Sequence, residues 1–149
     1  MKFPISWLND YVDINGITSE EFAHAMTMSG SKVEGVENAG EEIQNVVVGK
    51  ILKIVKHPDA DKLVICSVDV GNEVLQIVTG AKNVSEGDFV PVALHGSHLP
   101  GGIVIKKGKL RGYESFGMLC SGTELGLNED LYPGAGYNGL LVLPEDARV

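Results

Sequence analysis

The spacing of apolar residues changes near residue 40. Before it, Phe22, Ala25 and Met26 share one face at helical spacing, with Met28 close behind. Thr18 followed by Glu21 forms a capping box, and Ile17 with Phe22 stands at the spacing of a hydrophobic staple. With Gly30 as C-cap, these signals predict a helix after Thr18. A shorter helix is predicted over Ser6 to Val12, with Trp7, Leu8 and Tyr11 as anchors. Neither is long enough to be stable alone, so residues 1–38 read as a helical lead-in that must pack on other chain.

The polar run 40–44 marks a boundary, and strand rhythm follows it. Residues 46–55 read as one long strand with Gly49 as a candidate bend or bulge. His57 to Ala60 makes a turn, because Pro58 ends the strand and Asp59 favours turn geometry. Leu63–Val70 and Val74–Thr79 are paired strands joined at Gly71-Asn72. Phe89–Leu94 and Ile103–Ile105 follow, then the basic run Lys106, Lys107, Lys109, Arg111, and a last strand at Leu140–Leu143. Five or six short strands that all need edge closure predict a small β-barrel over residues 39–149. The expected fold is mainly β, with a short α-helical segment ahead of it.

Composition narrows the function classes. Apolar residues make up 44% of the 149 positions, which excludes a disordered chain. The longest apolar run falls well short of a membrane span, and Asn9, Asp10 and Asp13 interrupt any secretory signal, so a cytoplasmic setting is expected. Net charge is -8, unevenly distributed. Residues 1–42 carry eight acidic and two basic side chains, residues 43–123 seven and nine, and residues 124–149 five and one. Only the central stretch is basic, and weakly so, which points to modest affinity for nucleic acid.

Candidate chemistry is thin. His95 and His98 with Cys66 and Cys120 lack the second ligand pair of a zinc site, and the two histidines read as loop residues. Cys66 and Cys120 read as reduced, partly buried thiols, with a lone bridge left open. Asp59, Asp61, Asp69 and Glu73 read as turn and solvated charges rather than paired catalytic acids. No Walker loop, dinucleotide fingerprint or nucleophile elbow is present, so no catalytic residue is assigned. The run 105–111 is the best binding signal: lysines offer mobile point charges, and Arg111 can fork two donors onto one phosphate.

A resemblance sharpens this picture. HPDADKL (57–63), IVTGAKNV (77–84), LP (99–100), KLRGYES (109–115), GMLCS (117–121) and ELGL (124–127) together resemble the tRNA-binding OB domain of several synthetases and stand-alone tRNA-binding proteins. The start, FPISWLNDYVD (3–13) with SGSKVEGVE (29–37), resembles that of bacterial phenylalanine–tRNA ligase beta subunits. The stand-alone proteins lack such a lead-in. The resemblance implies an OB-fold Greek-key barrel that binds tRNA without catalysing anything itself. It also implies a much longer subunit with an editing site and a catalytic-like module downstream, paired with an alpha subunit in an α2β2 enzyme that uses ATP and magnesium.

Residue roles carried over by the resemblance place RNA contacts at Asn83 in its GxxN loop, at Arg111 and Ser115 in LRGxxS, and at Ser121, beside Lys106, Lys107 and Lys109. Glu124 is expected to make a cap or a loop bond, and Met118 and Leu119 to lie in the core. Thr79 stands where the family often has Cys, and aromatic stacking platforms are sparse, so shape and backbone contacts to folded tRNA are expected over base readout. Two alternatives stay open: a structural domain that touches RNA little, and a stand-alone dimeric tRNA-binding protein.

Overall fold

The computed structural model describes residues 3–38, 40–130 and 132–147. The chain divides into two compact units, Met1–Ala39 and Gly40–Val149. In the first, helix α1 covers Ile5–Leu8 and helix α2 covers Ser19–Met28. The capping box is formed: the Glu21 N–H donates to Thr18 Oγ1 at 3.2 Å, and the Thr18 N–H donates to Glu21 Oε2 at 2.9 Å. Those bonds from Thr18, the backbone one foremost, hold the Glu21 carboxyl below its ordinary value. Gly30, at φ +102°, follows the C-cap Ser29 and closes a Schellman motif, with Gly30 N–H on Thr27 O and Ser31 N–H on Met26 O. The first helix is shorter than expected: beyond Leu8 the chain continues only as turns.

The second unit is a β-barrel. Its strands are β1 (Gln44–Lys56), β2 (Val64–Asp69), β3 (Val74–Thr79), β4 (Phe89–Leu99), β5 (Ile103–Val104), β6 (Gly108–Leu110), β7 (Tyr113–Ser115) and β8 (Gly117–Leu119). The main sheet runs β3-β2-β1-β4-β5, with β8 on β4, and every pairing is antiparallel. A three-strand meander whose fourth strand returns beside the first is a Greek key. The barrel is nearly closed where β3 meets the 113–117 segment. There the Phe116 N–H donates to Gln76 O at 2.9 Å, and Gln76 Nε2 donates to Glu114 O at 2.8 Å. The fold is thus the mainly β, OB-like barrel with a helical lead-in that the sequence predicts.

Two glycine-sensitive features shape it. Gly49 lies where a Cβ would come within 2.5 Å of Val92 and 2.7 Å of Val68, so β1 crosses close to its neighbours without a ladder break at that point. The register of β1 shifts elsewhere: against β2 between Ile51 and Lys53, and against β4 at Asn45, at φ +58°, where its carbonyl accepts from Ser97 Oγ and its side chain donates to His95 O.

One core cluster fills the barrel with Ile51, Cys66, Val68, Ile77, Val90, Val92, Leu119 and Leu140. A second, with Ala93, Leu99, Ile105, Cys120, Leu125, Ala135 and Leu141, lies on the other face of β4. The segment after β8 wraps over that face, so β4 is buried on both sides through residues 90–93. Leu119 is core, and Met118 packs partly buried against the second cluster.

Two local readings need correction. His95 and His98 belong to β4, which continues past its apolar run because Gly96 N–H donates to Ile105 O and Ile105 N–H to Ser97 O. Leu140–Leu143 is no strand; its backbone makes one isolated bridge, Phe89 to Leu143, and a bond from the Leu141 N–H to Cys120 O, while Leu140 is held by the Asn83 side chain in place of a strand partner. Within the basic run, Lys106 and Lys107 precede the strand, and only Gly108–Leu110 pairs.

Candidate nucleic-acid interface

The basic run ends in the β6–β7 hairpin, where Leu110 pairs with Tyr113 around the two-residue turn Arg111-Gly112. Both turn residues have positive φ, +50° and +88°, the signature of a type I′ turn. Glycine adopts that backbone freely; an arginine there is strained by about 1–2 kcal/mol. Arg111 is exposed at the tip, and Lys106, Lys107 and Lys109 are exposed along the approach. The Lys107 N–H donates to His95 Nδ1 at 3.2 Å, tying the approach to β4. Lys109 stands opposite Glu114 in the ladder, so part of its charge is offset.

Two depressions flank the hairpin. One is lined by Lys107, Gly108, Lys109, Glu114, Ser115 and Phe116. The other lies between the tip and the turn after β1, lined by Asp59, Ala60, Asp61, Lys62, Leu63 and Arg111. Phe116, 37% exposed beside two lysines, is a flat apolar surface that the reading of the sequence passed over. Alternation contained the signal: Ser115, Gly117 and Leu119 point inward, so Phe116 must point out.

The remaining residues assigned by resemblance are turned toward the protein. Asn83 clamps the wrap: its Nδ2 donates to Leu140 O at 2.9 Å, and the Leu140 N–H donates to its Oδ1 at 2.9 Å. Gly139 lets the two approach, since a Cβ there would collide with the Asn83 carboxamide. Ser115 is buried; its hydroxyl donates to Gly117 O at 2.9 Å and accepts the Val78 N–H at 3.1 Å. Ser121 and Glu124 form a reciprocal cap, with Glu124 Oε2 accepting from the Ser121 hydroxyl and N–H at 2.8 and 2.7 Å. Lys106, Lys107, Lys109 and Arg111 are thus all exposed on or beside the hairpin, with Lys107 and Lys109 lining one depression and Arg111 the other, while the side chains of Asn83, Ser115 and Ser121 are bonded within the domain.

Thr79 also has a structural task, since its hydroxyl accepts the Ala81 N–H at 3.2 Å and so starts the loop that carries Asn83. The cysteines lie in separate core clusters as free thiols. Burial pushes Cys66 up to about 11, and burial aided by the Glu124 charge pushes Cys120 up to about 12.

A comparison with protein families settles the class. The sequence profile of the family described as "Putative tRNA binding domain" matches residues 46–147. The chain belongs to that family. Its matched region covers the barrel from β1 through the wrap, so the hairpin and both core clusters fall within the family domain. The chain is also 57% identical over its whole length to the phenylalanine–tRNA ligase beta subunit of Clostridium acetobutylicum, and 51% identical to that of Oceanobacillus iheyensis. It spans 18% of the length of each of these relatives. Among solved structures, a MetRS-related protein from Pyrococcus horikoshii is 29% identical, with a TM-score of 0.48, across 76% of this chain and 93% of that one.

Proposed function

We propose that this barrel is the tRNA-binding module of a phenylalanine–tRNA ligase beta subunit, and that it meets tRNA through phosphate contacts from Lys106, Lys107, Lys109 and Arg111. The observation that carries the reading is the basic hairpin, with an arginine in a strained left-handed conformation at its exposed tip, inside a domain of the tRNA-binding family. Strain of this kind is kept where something other than stability depends on it. Phe116 supplies an apolar face beside Lys107 and Lys109 on which a base can stack. Asn83, Ser115 and Ser121 act behind this surface by fixing loops, and reach RNA only if their present bonds are exchanged.

In the longer protein, residues 1–38 join a neighbouring domain completed by other chain, and residues 39–149 form the RNA-binding module. That subunit pairs with an alpha subunit in a cytoplasmic α2β2 enzyme that uses ATP and magnesium to attach phenylalanine to tRNA. The chain itself contributes binding and no catalytic group. Among the described residues no helix is long and apolar enough to cross a membrane.

A second reading, a structural domain that touches RNA little, draws support from the -8 net charge and from the inward bonding of Asn83, Ser115 and Ser121. Affinity for a phenylalanine-accepting tRNA transcript across a salt series decides between them. Steep weakening with salt is expected, with a slope shallower by about one for each hairpin cation neutralised. No binding at low salt would favour the structural reading.

A further inference from the structure

One buried side chain grips the hairpin tip. His57, 2% exposed, lies beside the Arg111-Gly112 turn. The Asp59 N–H donates to its Nδ1 at 3.1 Å, so that nitrogen carries no proton. In the neutral ring the proton then sits on Nε2, which faces Leu110 O at 3.3 Å and donates to it. The Tyr113 ring packs edge-on against the imidazole, with centroids 4.8 Å apart. Leu110 and Tyr113 are the residues on either side of the turn, so His57 holds both shoulders of the tip. Through Asp59 the same ring holds the turn that forms the far wall of the depression.

Resting on the reading that Arg111 meets RNA, we infer that His57 is a positioning residue for that contact. It touches no RNA, but it sets where the guanidinium stands. A tip held in advance loses less freedom when RNA binds. The tether also decides which anion reaches Arg111. Asp59 and Asp61 line the same depression, Asp61 is 3.6 Å from Lys56, and an untethered tip is free to fold onto these carboxylates.

Two substitutions separate the halves of this grip. His57→Asn keeps an acceptor for the Asp59 N–H, as in an Asx turn, but is too short for Leu110 O. His57→Gln reaches the Nε2 position and can donate to Leu110 O. The experiment measures melting temperature and affinity of the 149-residue chain for a phenylalanine-accepting tRNA transcript across a salt series. It compares the unaltered chain with H57N, H57Q, R111N and the double variant H57N/R111N.

R111N is expected to weaken binding about tenfold and to lower the salt slope by about one. H57N is expected to shift both in the same direction, the double variant to bind no worse than R111N, and H57Q to recover part of the loss. If H57N lacks a melting transition, Tyr113→Leu, at a partly exposed position, replaces it with the same expectations. H57N binding like the unaltered chain while R111N is weakened, or losses that multiply in the double variant, would overturn the positioning role alone. Absence of tRNA binding by the unaltered chain would overturn the RNA reading and this inference with it.

Discussion

Asn83 shows how one side chain can stand in for a strand. Its carboxamide offers the donor and acceptor of a peptide unit, and Leu140 uses both. Replacing it with alanine leaves the buried Leu140 backbone unpaired, an expected loss of about 2–3 kcal/mol in urea unfolding. Affinity for tRNA is expected to follow that loss of folded protein and no further. The thiols make a separate expectation at this scale. With values of about 11 and 12 in the folded chain, Cys66 and Cys120 stay protonated at pH 8. A thiolate-directed reagent should leave both unlabelled until the chain is unfolded by denaturant. Because the folded values lie above the ordinary 9.0, their contribution to stability is present below pH 9 and is lost as pH rises through 11 to 12.

Among the elements, the β6–β7 hairpin sets a binding surface against stability. Arg-Gly at a type I′ turn is poorer than Asn-Gly, because asparagine tolerates the left-handed region. Arg111→Asn is therefore expected to stabilise the chain by about 1 kcal/mol, read as a higher urea midpoint, while weakening tRNA binding. Helix α2 is balanced differently, since its capping box and Schellman close are both local and both complete. Strand β1 needs no glycine for its dihedrals at residue 49, but it needs the missing Cβ, because Val68 and Val92 occupy that space.

On the scale of the whole molecule, the wrap from Cys120 to Leu143 makes a barrel strand into an interior one. It is anchored by Asn83, by the Ser121–Glu124 cap, and by Glu129, whose carboxylate accepts from the Gly134 and Gly136 N–H groups at 3.0 and 3.1 Å. Leu141→Ala is expected to lower stability by about 2–5 kcal/mol, since Leu141 is 2% exposed in the second core cluster. The bonds to Gly134, then Gly136, hold the Glu129 carboxyl below its ordinary 4.5. Its stabilisation is therefore present above pH 4.5 and is lost as pH falls through the lower folded value. In unfolding measured across pH, Glu129→Gln should be less stable than the unaltered chain at neutral pH, and that gap should close in acid.

Features whose causes lie close together in the chain could be read without a structure. The Thr18–Glu21 cap, the hairpin at Gly71-Asn72 and the span of β3 each rest on partners a few residues apart. The family blocks carried the fold class for the same reason, because they record turn and strand chemistry in order. What escaped was decided by distant partners. Asn83 meets Leu140 across 57 positions, His57 meets Leu110 across 53, and Ser115 meets Val78 across 37. A polar residue in a motif looks the same in sequence whether it faces solvent or its own backbone. Only chain closure brings up the group that satisfies it, and a buried polar atom must be satisfied. The double-sided burial of β4 falls between the two, because the unbroken apolar run 89–94 already signals cover on both faces, while the wrap that supplies the second cover comes from a distant part of the chain.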